Sequence, residues 1–327
     1  SALAIAALLG TGAASAATFQ VDENTSFSVG VGLYATYSDT TDDNGNNSTS
    51  FADNTSDVVF SGSTTNNGVT SFFNLDIDGF NTVNAGDGPN LDTDEASAGI
   101  SGSFGTITVG SDASLFDKTI DGLIDSDETA GVYSFSEATD KDRLIRYENS
   151  VDALSFGVEA EVIGESDVSD DDVTKDGISL AASASYDFGT FALHAALDQR
   201  GVKQDENIYG VGASFALNGV DFGVAYMVDE DPTEESSIIG ASASYDYGMG
   251  SLYGVLQSVS FDNVTAANTA FGNPSGNVDE VDDSFTQFML GVNYSVTDNI
   301  YVYGEYLALD REKDQGDVTS VGIVSKF

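Results

Sequence analysis

Carboxylates are the main chemical groups of this chain. It holds 54 Asp and Glu residues against ten Lys and Arg, one histidine and no cysteine, for a formal net charge of −44. Without cysteine there is no disulfide framework, thiol chemistry or thiolate metal site. So acidic a chain repels nucleic acid, whose binding needs Lys and Arg, and attracts cations instead. A hydrolytic triad needs a histidine base beside a nucleophile. His194 is the one candidate base, and no nearby residue reads as a poised serine, so no catalytic residue and no enzyme activity are expected. Asp76-Ile77-Asp78-Gly79 and Asp92-Thr93-Asp94-Glu95 are similar to fragments of calcium loops, but neither has the EF-hand spacing with its distal glutamate. Loose association of divalent ions at acidic loop edges is the expectation, with no cofactor and no dedicated metal site. Gly30-x-Gly32 lies inside a strand rather than between a strand and a helix, so it is not a nucleotide loop.

The elements that carry these acids are strands. From Thr25 to Tyr37 the odd positions are Phe27, Val29, Val31, Leu33, Ala35 and Tyr37, and the even ones are Ser26, Ser28, Gly30, Gly32, Tyr34 and Thr36. Period two gives one apolar and one polar face. About ten residues in this form cross a bilayer when tilted. The pattern recurs to the last residue, whereas no stretch is long and apolar enough for a membrane helix.

Turn chemistry divides the pattern. Short turns are read at Asn66 to Gly68, Phe104-Gly105, Asn149 to Asp152, Phe188-Gly189, Asn218-Gly219, Tyr247 to Gly250 and Thr297 to Asn299, where Gly and Asn tolerate positive φ. Eight longer acidic connections cover about 38–56, 79–94, 111–141, 164–176, 199–206, 229–237, 261–283 and 311–316. Pro89, Pro232 and Pro274 all fall in these loops, as residues without an N–H should. Seven short and eight long connections, alternating, join sixteen strands. The expected fold is all-β, a transmembrane antiparallel barrel with short periplasmic turns, long outer loops and an aqueous lumen. Gly131 to Glu137 is assigned to the third long loop.

Parity sorts the faces. In 153–163, Leu154, Phe156, Val158, Ala160 and Val162 face lipid, while Ser155, Gly157, Glu159 and Glu161 face the lumen. In 285–296, Phe288, Leu290, Val292, Tyr294 and Val296 point outward; segment 251–260 sorts poorly. The lumen face carries Asp76, Glu159, Glu161, His194, Asp221, Asp246 and Glu305. Tyr186, Phe188, Phe191, Tyr245, Tyr247 and Tyr253 cluster near the short turns, as an interfacial girdle would. Ala2 to Gly10, followed by Ala14-Ser15-Ala16, reads as the end of a secretory signal cleaved after Ala16, so the barrel is expected over 17–327.

With these motifs in order, the chain resembles the general diffusion porins of the Gram-negative outer membrane. The resemblance is carried by terminal Phe327, the Gly-rich first strand 25–37, Gly105 to Gly110 leading into a long third loop, Arg146-Tyr147-Glu148-Asn149-Ser150, and Ser155-Phe156-Gly157 after it. It covers essentially the whole of 17–327. It implies a sixteen-stranded homotrimer, set in outer-membrane lipid and lipopolysaccharide, that passes small hydrophilic solutes and ions. The third loop, about 111–141, would fold inward as a constriction facing a basic wall. On that loop the resemblance points to Asp112, Asp117, Lys118, Asp121, Asp125, Asp127 and Glu128. Arg146 is the candidate for the basic wall, with Arg143 at the rim. Val321, Ile323 and Phe327 would be the signal read by the barrel assembly machinery. Three features depart from the family: the Pro-Glu-Phe-Gly-Gly run is absent, no Lys or Arg occurs from 56 to 104, and Ser325 stands two before the end.

Rings of Asp and Glu in a lumen favour cations, so a cation preference is expected. The alternatives are an acidic secreted or surface-layer β protein, such as an adhesin or coat, and a substrate-specific channel of the same fold.

Overall fold

The computed structural model describes residues 17–41, 47–53, 56–79, 91–126, 128–129, 131–135, 140–163, 177–199, 207–230, 235–262, 284–310 and 317–327. Outside them lie the expected leader, most of the acidic loops, the three prolines and Asp127.

Eighteen strand segments follow one another: β1 (Ala17–Asp22), β2 (Thr25–Thr41), β3 (Asn47–Ala52), β4 (Asp57–Asn66), β5 (Val69–Asp78), β6 (Asp92–Gly102), β7 (Gly105–Ala113), β8 (Asp140–Val151) and β9 (Leu154–Ile163), then β10 (Gly177–Asp187), β11 (Phe191–Gln199), β12 (Asn207–Leu217), β13 (Val220–Asp229), β14 (Ser236–Asp246), β15 (Ser251–Phe261), β16 (Ser284–Thr297), β17 (Ile300–Asp310) and β18 (Val318–Lys326). From β4 to β18 each strand pairs antiparallel with the next. The ring closes on β2, which pairs with β18 along one edge and β4 along the other. That makes sixteen ring positions. β1 prolongs the line of β18 beside residues 25–29 of β2, and β3 prolongs that of β4 beside residues 36–41. At the β1–β18 junction Phe327 and Val31 exchange backbone bonds, 2.8 Å from the Phe327 N–H and 2.7 Å from the Val31 N–H. A closed ring leaves no lipid-exposed edge with unpaired amides.

The seven expected turns fall between the strands they were read to join, with positive φ at Asn67, Gly68, Gly105, Asp152, Gly189, Asn218, Gly219, Gly248 and Gly250. An eighth short turn, Glu23-Asn24, joins β1 to β2. The first long connection differs from the reading of 38–56: β2 continues to Thr41 and β3 returns beside it, Tyr37 opposite Phe51. Ser, Thr, Asn and Asp fill both segments, which hid the strand there. Residues 131–135 form no strand.

Val158, Val162, Leu193, Val211, Ile239, Leu256 and Leu290 stand exposed on the outer face. Tyr186, Phe188, Phe191 and Tyr245 are exposed near the short turns, where Phe188 stacks on Phe191 with ring centroids 4.6 Å apart. Tyr253, read as a girdle residue, is instead 6 % exposed and turned inward.

Candidate pore constriction

The third long loop begins in the helix α1 (Leu115–Thr119), followed by a 3-10 turn over Asp121–Leu123. Ser114 caps α1, its Oγ accepting the Asp117 N–H at 3.0 Å. Leu115, Phe116, Ile120 and Ile124 are buried. The last three recur every fourth residue, so they make one apolar stripe. That stripe packs on inward residues of the barrel wall, Ala196, Ile208, Ala225, Met227, Ile238 and Val259, together with Phe135, Phe261 and Phe285. The interior of β11–β16 therefore carries an apolar patch, beside inward Asp198, Gln257 and Gln287, against the expectation of a polar lumen all round. This explains why 251–260 sorted poorly: Val255 and Val259 point inward while Leu252 and Leu256 point outward.

Glycines on the wall let the loop lie close. A Cβ on Gly223 would stand 2.0 Å from the Leu123 carbonyl oxygen, and one on Gly240 2.7 Å from Ile124 Cδ1. The Ser242 hydroxyl donates to that same Leu123 carbonyl at 2.5 Å.

Two of the expected lumen glutamates hold the loop, one at its start and one at its middle. Glu159 on β9 accepts the Leu115 N–H at 3.0 Å. Glu305 on β17 accepts the Glu128 N–H at 2.6 Å, the Thr129 N–H at 3.0 Å, the Thr129 hydroxyl at 3.2 Å and the Tyr253 hydroxyl at 2.9 Å. Glu128 in turn accepts the Tyr301 hydroxyl at 3.0 Å. Arg146 lies on the inner face and is 1 % exposed beneath the start of the loop. Its Nε donates to Glu159 at 2.7 Å, Nη1 to Asp112 at 2.7 Å and Nη2 to the Ala113 carbonyl. Asp112 also receives Lys118 Nζ at 2.6 Å. A second inward base, Lys141, was not singled out in the sequence; it is buried 2.8 Å from Asp198 and 3.7 Å from Glu161. Arg143, at φ 51°, forms a bulge in the β7–β8 ladder, and this extra residue turns Lys141 inward.

The opposite wall is different. Asp57, Asp76 and Asp78 line the inner face of β4 and β5 and are half-buried, and one oxygen of each lies within 4.8 Å of the others. Asp57 accepts the Gly32 N–H at 2.8 Å. Glu95 on β6 is held by Asn74 at 2.5 Å and Ser97 at 2.7 Å. The inward face of β18 ends in Lys326, whose ammonium lies 5.8 Å from the ring centroids of both Tyr34 and Tyr301.

The other expected residues are dispersed. Asp117 and Lys118 sit on α1, Asp121 is buried at the following turn, and Asp125 is exposed beyond it. Against the expectation that no serine stands near it, His194 bridges two hydroxyls from the neighbouring strands, Ser185 at 2.8 Å from Nδ1 and Ser214 at 2.9 Å from Nε2. Asp221 and Asp246 share the inward parity of their strands but lie exposed at the short-turn end, where Asp246 accepts the Gly248 N–H at 2.6 Å. Val321, Ile323 and Phe327 are all exposed on the outer face. The signals for what was missed were local: Lys326 has lumen parity, and Phe116, Ile120 and Ile124 have helical spacing.

Comparison with known proteins supplies the family. Residues 2–314 match the family model described as Gram-negative porin. The chain is 27% identical over 291 residues to a monosaccharide porin of a Halomonas species, covering 80% of this chain and 79% of that one. The same figures hold for the major outer membrane protein of Halomonas elongata. Among solved structures, Salmonella typhi OmpF in complex with daunomycin superposes with a TM-score of 0.72 at 18% identity, over 95% of this chain and 100% of that one. The anion-selective porin from Comamonas acidovorans gives 0.67 at 15% identity, over 93% and 100%. With its closed sixteen-position barrel, its inward third loop and a family match over nearly its whole length, the chain belongs to the Gram-negative porins, diffusion channels of the outer membrane.

Proposed function

We propose that this channel prefers cations. What supports the reading is the wall of β4–β6 facing the loop: it carries Asp57, Asp76, Asp78 and Glu95 and no Lys or Arg. The inward bases of β8, Arg146 and Lys141, are buried in ion pairs and offer little field to a passing ion. A carboxylate-lined passage of this kind raises the local concentration of cations and depletes anions. The fold does not decide the sign, since an anion-selective porin shares it. Planar-bilayer recording tests the reading: under a KCl gradient the reversal potential favours K⁺ over Cl⁻, and a reversal potential favouring Cl⁻ overturns it.

The solutes are small and hydrophilic. Below the constriction the inner face is rich in hydroxyls, including Ser26 with Ser63 at 3.2 Å and Ser150 with Ser155 at 2.9 Å. These neutral donors and acceptors suit polyols, and monosaccharide passage, named for the Halomonas relative, extends to this chain. Liposomes carrying the protein swell in glucose; equal rates with and without protein reject it. We assign no bond chemistry to the channel, a reading supported by its family and fold. The functional unit is a homotrimer in lipopolysaccharide-containing lipid, and the outward Val321, Ile323 and Phe327 are the signal read by the barrel assembly machinery. Cross-linking that yields monomer alone rejects the trimer.

A further inference from the structure

Lys326 is the penultimate residue, yet its side chain belongs to the lumen. Its parity on β18 is that of Ser320 and Val324, both buried inside, and opposite to that of the exposed Val321 and Ile323. The ammonium stands between two inward rings, Tyr34 of β2 and Tyr301 of β17, and Tyr301 in turn holds Glu128 of the constriction loop. It makes no ion pair among the described residues, in contrast to Lys118, Lys141 and Arg146. Ladder registers set it in a row across the wall: Lys326 opposite Gly32, Gly32 opposite Asp57, and Asp57 opposite Asp78. Gly32 has no side chain to fill the middle of this row. A Cβ there would stand 2.6 Å from Asp57 Oδ1 and 2.7 Å from the Tyr34 ring. The Asp57 carboxylate and the Tyr34 ring thus occupy the space over Gly32, which leaves the ammonium and the carboxylates within electrostatic reach of one another without a direct ion pair.

We propose that Lys326 is a selectivity-determining residue of the constriction, the positive pole of a transverse field whose negative pole is Asp57, Asp76 and Asp78. Both poles stand on the barrel wall itself, two to three strands apart, instead of on a basic wall and an acidic loop. It gives the C-terminal strand a part in permeation besides closing the barrel. The tyrosine faces hold the ammonium in place by cation–π attraction, so it does not fold onto a carboxylate. The inference deepens the cation-preferring reading and rests on the same wall, with Lys326 as its brake.

A unit charge about 6 Å from the ion path changes the local population of a monovalent ion roughly threefold in water. In 0.1 M KCl screening roughly halves that energy, while K⁺ and Cl⁻ respond in opposite senses, so Lys326→Gln raises the K⁺/Cl⁻ permeability ratio roughly threefold, and Lys326→Arg leaves it unchanged. Lys326 adjoins the closing seam, so Lys326→His provides a test inside one inserted channel. At pH 5 its ratio is that of the wild type, and at pH 8, with the imidazole neutral, it is that of Lys326→Gln. A wild-type recording at both pH values subtracts the response of Asp57, Glu128 and the other acids. The proposal is overturned if Lys326→Gln, or Lys326→His at pH 8, keeps the wild-type ratio. A wild type that favours Cl⁻ but still shifts on neutralisation overturns only the cation preference. One that favours K⁺ and does not shift overturns only the role of Lys326.

Discussion

Replacing Glu305 by alanine should loosen the Glu128–Thr129 stretch of the constriction loop without unfolding the barrel. The carboxylate, 3 % exposed, accepts two backbone N–H groups of the loop, at 2.6 Å from Glu128 and 3.0 Å from Thr129. Hydrogen bonds to a charged group contribute about 1.5–3 kcal/mol each, so the two together hold this stretch by about 3 kcal/mol or more. Its loss shifts the balance between docked and undocked loop by on the order of a hundredfold, since each 1.4 kcal/mol is tenfold. The flanking stretches stay fixed, the near one through Phe116, Ile120, Ile124 and Glu159 and the far one through Phe135 in the same apolar cluster. Single-channel recording is the assay. Glu305→Ala gives frequent substates and a lowered voltage threshold for closure. Glu305→Gln keeps an acceptor oxygen but not the charge, and falls between the alanine variant and the wild type. Current noise and closure threshold equal to those of the wild type in Glu305→Ala would refute the assignment of Glu305 as an anchor.

Three further outcomes follow from the same geometry. Arg146→Met leaves Glu159 and Asp112 facing each other without their shared cation; breaking a buried pair in this way costs about 3–5 kcal/mol, read as a fall in the thermal midpoint of the folded barrel. Gly223→Val pushes a side chain into the Leu123 carbonyl and displaces the loop at an overpacking cost of about 1–3 kcal/mol, seen as altered conductance from a barrel whose strand signal in circular dichroism is unchanged. Asp76→Asn combined with Asp78→Asn lowers the K⁺/Cl⁻ ratio in 0.1 M KCl, and the difference shrinks at 1 M, where the screening length falls to about 3 Å; a difference undiminished at 1 M would locate the effect in pore shape instead of charge.

The barrel was readable because its two signals are local. Alternation reports which face a residue occupies, and Asn-Gly or Gly-centred turns report where the chain reverses. Both operate within a few residues, so the seven turns and the facing of 153–163 and 285–296 could be read from the sequence. β3 escaped because Asn47, Ser48, Thr49 and Ser50 give no apolar alternation. The inner apolar wall escaped for another reason. A strand covered on both sides, by lipid outside and by the loop inside, loses the polar half of its pattern, and 251–260 read as noise. Glu159 and Glu305 were recognised as inward acids, but their partners lie 44 residues away for Leu115 and 177 for Glu128, beyond any local pattern. Arg146 was placed inward by parity, while parity says nothing of the helix that covers it. Lys326 obeys the same parity rule, two residues on from the buried Val324.

The apolar trough on β11–β16 has a consequence for how this channel can change over evolutionary time. Shortening the loop would not merely widen the hole. It would leave Ile208, Met227, Ile238 and Val259 against bulk water, a surface that repels its own solvent and that a nascent barrel could hide only by collapsing or by recruiting another greasy segment. Aperture and wall are therefore locked into joint variation: a wider descendant must first swap those aliphatic residues for hydroxyls or acids. Half of this cylinder holds an apolar core beneath its loop, as the interior of a soluble protein does, and that half sets the limit on its bore.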